Sequence, residues 1–82
     1  MAEDRRVFPR RRLIRRGRIV LHAGRSAIEC VILDISEGGA RLRLEDWLLV
    51  PNAFELRIEN GPTHQVEVRH RDLETAGVQF AG

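Results

Sequence analysis

Two groups of residues in this chain carry side chains that can bind an anion or a nucleotide base. The first is a run of arginines: all 14 basic residues of the chain are arginine, and eight of them lie between Arg5 and Arg18. The second is the segment Asp34-Ile35-Ser36-Glu37-Gly38-Gly39. Because the guanidinium group is a permanently charged planar fork of donors, it suits phosphates and guanine edges better than the lysine ammonium does. Together the two groups predict recognition of an anion or of guanine.

The Asp34 segment has the residue types of a tight turn that follows a strand. Asp34 and Ser36 can cap their own backbone, and Gly38 and Gly39 can adopt positive φ angles that let the chain approach a ligand closely. The alternative interpretation is a turn that serves only to connect two strands. The segment by itself leaves both interpretations open.

The arginine run contains apolar residues between its charges, namely Val7, Phe8, Pro9, Leu13 and Ile14. A purely charged tail stays solvated, whereas these side chains can anchor the segment on a folded surface. Pro9 also restricts Phe8 to extended conformations. We therefore predict an extended, flexible arm over residues 1–16 and a folded domain over residues 17–82. A solvated tail that only adds solubility is the alternative.

Charge is distributed unevenly between the arm and the rest of the chain. Residues 1–18 hold eight arginines against two acids, a balance of +6, while residues 19–82 hold six arginines against ten acids, a balance of −4. A basic arm of this kind meets an anion, either the protein's own acidic body or an external ligand. Net charge does not distinguish the two.

Apolar residues from Gly17 onward recur at every second position, which is the period of β-strands. The predicted strands cover residues 18–22, 27–35, 40–44, 54–59, 65–69 and 77–80, and Asn60-Gly61 is the strongest hairpin signal among the breakers between them. Residues 27–35 are apolar enough for a strand covered on both faces. Six short strands predict an all-β sandwich or barrel. Residues 45–50 are expected to form one helical turn or an irregular crossover.

Length and composition argue against several classes of protein. An 82-residue chain buries only about 60% of its unfolded surface, so we do not expect an enzyme. Cys30 is the only cysteine, which excludes an intrachain disulfide and predicts a core position. No apolar run approaches the roughly 20 residues of a membrane span, and no secretory leader is recognisable. We expect a soluble cytoplasmic protein that does not engage a membrane.

The remaining reactive residue types are assigned structural roles. The histidines (His22, His64 and His70) lie in or beside different predicted strands without metal-ligand spacing, so no metal or cofactor is expected. Ser36 lacks the surroundings of a catalytic nucleophile. Trp47 is expected to pack near the edge of the barrel.

The order and spacing of the two motifs resemble the PilZ domain, the bacterial receptor module for cyclic di-GMP. Arg6-Val7-Phe8-Pro9-Arg10 has the form R-x-x-x-R and the Asp34 segment has the form D-x-S-x-x-G, with 23 residues between Arg10 and Asp34. Arg5 and the closing Gly77-Val78-Gln79-Phe80 resemble the family as well, and the resemblance covers residues 4–81. The pairs Arg11/Arg15 and Arg12/Arg16 share the R-x-x-x-R spacing. Arg6/Arg10 is preferred because Arg5 precedes it and its distance from the barrel fits.

The resemblance implies a six-stranded antiparallel β-barrel of the split-barrel type and a ligand site formed by Arg5, Arg6, Arg10, Arg11, Asp34, Ser36, Gly38 and Gly39. The Arg6/Arg10 pair would bind guanine edges and phosphates, with Arg11 as an auxiliary phosphate contact. Asp34 and Ser36 would hydrogen-bond a guanine, while Gly39 would let the loop pass close to the base. The chain stops at Gly82, without the C-terminal helix that many members carry.

The implied function is that of a non-enzymatic cyclic di-GMP receptor or adaptor. The ligand, which often binds this family as an intercalated dimer, would order the arm and change the surface shown to an unidentified downstream protein in motility, exopolysaccharide or biofilm regulation. We expect a monomer or weak dimer. One alternative is a nucleic-acid-binding barrel, which the acidic body and the few aromatic residues disfavour. The other is a PilZ-like protein-interaction module that binds no nucleotide, which the intact motifs disfavour.

Overall fold

The computed structural model describes residues 14–81, and these residues form a closed β-barrel. Its strands are β1 (Arg15–Leu21), β2 (Ser26–Ile35), β3 (Gly39–Arg43), β4 (Ala53–Ile58), β5 (Thr63–Arg71) and β6 (Thr75–Phe80). All pairs are antiparallel, in the order β1-β2-β3-β6-β5-β4, and β4 pairs with β1 to close the barrel. The predicted all-β, six-stranded antiparallel barrel is confirmed. No helix within residues 14–81 is long and apolar enough to cross a membrane.

The strands lie where the alternation predicts them, but several begin or end one to three residues away from the predicted bounds. β1 begins at Arg15, three residues before the predicted strand, because exposed Arg16 and Arg18 alternate with buried Gly17 and Ile19. The alternation continues through the arginines, whose charge hides it in the sequence. Residues 45–50 form an irregular crossover of turns between β3 and β4, which is the second of the two forms expected for this segment.

β2 is covered fully on one face only, which corrects the prediction of a strand buried on both faces. Its Cys30 and Ile32 side chains are buried in the core, whereas Val31 and Leu33 on the strand are half-buried. No other strand of residues 14–81 packs across the outer side of the barrel wall here. The outer face of β2 therefore keeps apolar surface in partial contact with solvent.

The core is formed by inward side chains of all six strands and by the crossover. The most completely buried are Ile19, Ile32, Leu42, Leu56 and Val66. Trp47 and Cys30, each 4% exposed, lie in the same cluster, which confirms both predictions. Burial, with a smaller contribution from the Glu29 carboxylate, raises the pKa of the Cys30 thiol to about 12.

Arg71 attaches the crossover to the barrel wall. Its guanidinium donates to the carbonyl oxygens of Trp47 and Val50 at 2.8 and 2.7 Å, and to Oδ1 of Asn52 at 2.9 Å. The guanidinium carbon also lies 5.6 Å from the centroid of the Trp47 ring, within the range of a cation–π contact. One arginine thus satisfies the backbone acceptors of a segment that has no strand partner.

The strand directions place the connections at two ends of the barrel. The start of β1, the β2–β3 turn and the β4–β5 turn lie at one end, which we call the upper end. The β1–β2 turn, the β3–β4 crossover and the β5–β6 turn lie at the opposite, lower end. The start of β1 and the Asp34 turn therefore lie at the same end of the barrel.

Candidate ligand-binding site

The position of Asp34 is set by a bulge in β2. Ile32 pairs with Leu42, but the next pairs are Asp34 with Arg41 and Ile35 with Ala40, so the register shifts by one residue at Leu33. Since Arg41 is exposed and Ala40 is buried, Asp34 is turned to the outer face of the barrel. Uninterrupted alternation from Cys30 and Ile32 would have placed the carboxylate in the core, so the bulge makes it accessible to a ligand.

The Asp34 carboxylate is shielded from water although it lies on the outer face. The residue is 8% exposed, and its Oδ2 lies 3.5 Å from Nε of Arg41, whose side chain is 56% exposed. An ion pair with so exposed a partner contributes less than about 1 kcal/mol to stability. Shielding from water strengthens any hydrogen bond that a ligand makes to this carboxylate.

The turn after Asp34 is closed by its own hydrogen bonds. The Ser36 amide donates to the Gly39 carbonyl at 2.8 Å, and the Ser36 hydroxyl donates to the same oxygen at 3.3 Å. The Phe80 amide donates to the Gly38 carbonyl at 2.9 Å, which attaches the turn to β6. Among residues 14–81, Gly24 is the glycine with a positive φ angle. Gly38 and Gly39 therefore do not use the positive φ angles that glycine permits.

Gly39 lacks a side chain because β6 passes directly over its α-carbon. A Cβ at this position would overlap with the Val78 carbonyl oxygen and would lie 3.2 Å from the carbonyl carbon. At Gly38, by contrast, a Cβ would meet nothing within 4 Å. The barrel itself therefore requires a glycine at position 39.

A depression of about 310 Å³ joins the turn to the neighbouring strands. It brings together four of the site residues expected from the sequence, Asp34, Ser36, Gly38 and Gly39, with Arg69, Gly77 and Gln79 at its walls and floor. Gly77 pairs with Arg41 and Gly39 with Gln79, so both glycines lie on the outer face of adjacent strands. The floor is peptide backbone on which a planar ring can lie flat.

Arg69 is a wall residue that the sequence did not nominate. The pairing of β5 with β6 shifts register between Val68 and His70, and Arg69 occupies this second bulge with a 62% exposed side chain. Its Nη1 lies 3.9 Å from Oε1 of Glu67. The alternation of residues 65–69 shows that Arg69 points outward, but no local signal shows that β5 lies next to β6 and the Asp34 turn.

The described part of the chain begins near this depression. Arg15 pairs with Ile32, so the chain before β1 leaves the barrel two residues from Asp34 along β2. Arg5, Arg6, Arg10 and Arg11 lie outside the described residues. Arg10 precedes Ile14 by four positions, a span of up to about 14 Å when extended.

The two β1 arginines of the other R-x-x-x-R pairs are directed elsewhere. Nη1 of Arg15 lies 3.5 Å from the position of a Cβ at Gly61 in the β4–β5 turn. Arg16 lines a groove between β2 and the crossover and not the depression.

Each histidine has a contact of its own. The His64 ring stacks on Phe80 with centroids 4.0 Å apart. The His22 ring lies 3.5 Å from the Ser26 hydroxyl, and the His70 ring lies 3.3 Å from the Asp72 carboxylate. No three histidine, cysteine or acidic residues in the described part of the chain are grouped to hold a metal ion.

Comparison with known proteins gives one family. The model of the PilZ domain matches residues 4–82, which include both the N-terminal arginines and the Asp34 turn. No curated protein shows significant similarity to the chain.

Proposed function

The chain belongs to the PilZ domain family, whose members are cyclic di-GMP-binding modules and not enzymes, and from this premise we propose that the Asp34 depression and the arm arginines together bind cyclic di-GMP. The observation that carries the proposal is the β2 bulge. It turns a shielded carboxylate outward over a backbone floor, two residues from the point where the arginine arm joins the barrel.

The depression has the chemistry of a guanine site. A carboxylate accepts hydrogen bonds from guanine N1 and N2, and Asp34 presents one at the edge of the floor formed by Gly39 and Gly77. A base lying on this floor would contact backbone over one face, with Arg69 at the rim. The volume of about 310 Å³ suits a single base and leaves the phosphates to the arm.

The arm supplies the charge that the depression lacks. Arg6 and Arg10 would bind the phosphates and the Hoogsteen edge of guanine, where arginine donates two hydrogen bonds to O6 and N7. Arg5 and Arg11 would add phosphate contacts. Because Arg15 and Arg16 are held in β1 away from the depression, the Arg6/Arg10 pair remains the preferred one of the three.

Binding would join arm and barrel into one new surface. We propose that this surface is the output, read by a downstream protein, so that the domain acts as a receptor and adaptor. The intercalated form of the ligand, the oligomeric state, the cytoplasmic location and the role in motility or biofilm regulation stay predictions.

Isothermal titration calorimetry of the full chain with cyclic di-GMP is expected to show saturable binding. Arg6→Ala and Arg10→Ala should each weaken it by about tenfold, the effect of losing roughly 1.4 kcal/mol of charge-assisted hydrogen bonding. Arg25→Ala is the matched control, since Arg25 follows the lower-end turn. Equal losses in all three variants would indicate general electrostatic attraction and would contradict the proposed site.

A parallel titration separates this function from the nucleic-acid alternative. Single- and double-stranded DNA are added over a range of salt concentrations. Nonspecific nucleic-acid binding falls steeply with salt because it releases counterions. DNA binding at physiological salt without a heat of cyclic di-GMP binding would replace the proposal.

Gly77→Val is expected to weaken cyclic di-GMP binding by about tenfold or more while the barrel stays folded. A Cβ at this position meets only the His70 Cβ, at 3.9 Å, so β6 has room for a side chain here, and valine would occupy space in the depression that Gly77 lines. Calorimetry and a denaturation curve on the same variant test both parts. Unchanged affinity would show that the base does not lie on the glycine floor.

A further inference from the structure

A groove separate from the Asp34 depression runs between β2 and the crossover that follows β3. It has a volume of about 720 Å³ and extends from Arg16 in β1 to Leu49 in the crossover at the lower end. Its apolar lining is formed by Ile28, Val31, Leu44 and Leu49, with Cys30, which is 4% exposed, at its floor. The groove follows the part of β2 before Val31, which has no pairing partner on the β3 side.

Apolar side chains are also exposed beyond the groove at the lower end of the barrel. Leu48 and Leu49 of the crossover are 83% and 81% exposed, and Leu73 of the β5–β6 turn is 91% exposed. The two connections are adjacent, because the Leu44 amide donates to the Glu74 carbonyl at 2.8 Å. Grouped leucines at this exposure mark a surface that binds another polypeptide segment.

The rim of the groove is acidic. It carries four acids, Glu29, Glu45, Asp46 and Glu74, against Arg16 and Arg43, a balance of −2. Arg43 is paired with Glu74 at 3.3 Å, while Glu29 and Glu45 form no ion pair within the described part of the chain. The cleft on the other side of β1 is instead lined by Arg16, Arg18 and Arg57 with two acids. A basic segment near the start of β1 is thus attracted to the β2 groove and repelled from this cleft.

We propose that residues 1–13 of the chain bind in the β2 groove when no ligand is present. This segment joins the barrel beside Arg16, where the groove begins. Thirteen extended residues span up to about 43 Å, which exceeds the 26 Å second dimension of the molecule. Its five arginines match the acidic rim, and Val7, Phe8 and Leu13 match the apolar lining.

Covalent attachment makes a weak contact sufficient. A short tether gives an effective concentration in the millimolar range, so an affinity far below that of a separate peptide still fills the groove. The docking of residues 1–13 in the groove does not depend on the proposed nucleotide function. The release of these residues by ligand does rest on that function. Because the same arginines serve the Asp34 depression, cyclic di-GMP withdraws the segment and uncovers the groove.

Paramagnetic relaxation enhancement in the full chain tests the docking. A nitroxide is attached to Ala2→Cys; Cys30 does not react because it is buried and its thiol stays protonated. We expect at least twofold broadening of the Val31 and Leu49 amide signals without ligand, and none at Gln65 on β5. Added cyclic di-GMP should remove the broadening.

Charge reversal supplies the matched comparison. Glu45→Lys/Asp46→Lys should abolish the broadening, whereas Glu55→Lys/Glu59→Lys, outside the groove on β4 and in the turn after it, should preserve it. In a second sample, unlabelled-nitrogen chain that carries the nitroxide is mixed with ¹⁵N-labelled chain that carries none. The ¹⁵N signals should not broaden in this sample, because the contact is within one chain. Broadening in the mixed sample, or none in the groove without ligand, overturns the docking.

The two proposals fail separately. If calorimetry shows no cyclic di-GMP binding but the groove signals broaden, the docking stands and the nucleotide function falls. If calorimetry shows binding but the Val31 and Leu49 signals stay broadened at saturating cyclic di-GMP, the groove and the depression do not compete for the arm, and this part of the proposal is overturned.

Discussion

Gly39→Ala is expected to destabilise the barrel by about 3 kcal/mol or more, a large part of the 5–15 kcal/mol that typically stabilises a domain. The new Cβ would overlap with the Val78 carbonyl oxygen and would lie 3.3 Å from the Gln79 α-carbon. These are backbone atoms in a hydrogen-bonded strand, so relief requires β3 and β6 to separate. Urea denaturation followed by circular dichroism measures the loss.

Gly77→Ala is the matched control for this prediction, because it makes the same change on the adjacent strand. Its Cβ would have only the His70 Cβ, at 3.9 Å, as a close neighbour, and its φ is not positive. We expect stability that is unchanged or raised by up to about 1 kcal/mol through the smaller entropy of the unfolded chain. Equal stability of the two variants would contradict the close approach of β6 to Gly39.

This result also bears on how Gly39 is interpreted. The sequence assigns it to close passage of the loop beside a bound base, whereas the structure shows a requirement of the barrel itself. A Gly39 variant that loses ligand binding would therefore report unfolding as readily as a damaged site. Gly77 and Asp34 are the positions at which binding can be tested in a folded protein.

Asp34→Ala is expected to weaken cyclic di-GMP binding by about 100-fold. Two hydrogen bonds from guanine to a shielded carboxylate would be lost, and a loss of roughly 3 kcal/mol corresponds to that factor. The barrel should remain folded, because the Arg41 side chain left behind is 56% exposed. Calorimetry on the variant, with a thermal unfolding curve as the check on folding, measures both quantities.

A matched acid and a matched ligand sharpen the Asp34 test. Asp72→Ala removes an exposed carboxylate at the lower end, 3.3 Å from His70, and should leave affinity unchanged. Cyclic di-AMP lacks the N1 and N2 donors of guanine, so the wild-type chain should prefer cyclic di-GMP while Asp34→Ala should lose that preference. An undiminished preference in the variant would place guanine recognition elsewhere.

Local physical chemistry determined much of this protein directly from the sequence. Alternation of apolar residues and the chemistry of turns such as Asn60-Gly61 depend on neighbours in the chain, and they predicted six antiparallel strands. Motif spacing gave the family, and charge showed that a basic arm precedes an acidic body. Both are properties of the linear order of residues, so no three-dimensional information was needed.

Tertiary structure alone decided how the site is built. A one-residue shift in the pairing of β2 with β3 turned Asp34 outward, and the strand order brought Arg69 and Gly77 to its side. The contact of β6 with Gly39 and the uncovered groove on β2 likewise depend on residues far apart in sequence. Register and strand order are set by the summed pairing and packing of the whole barrel, which no local segment encodes.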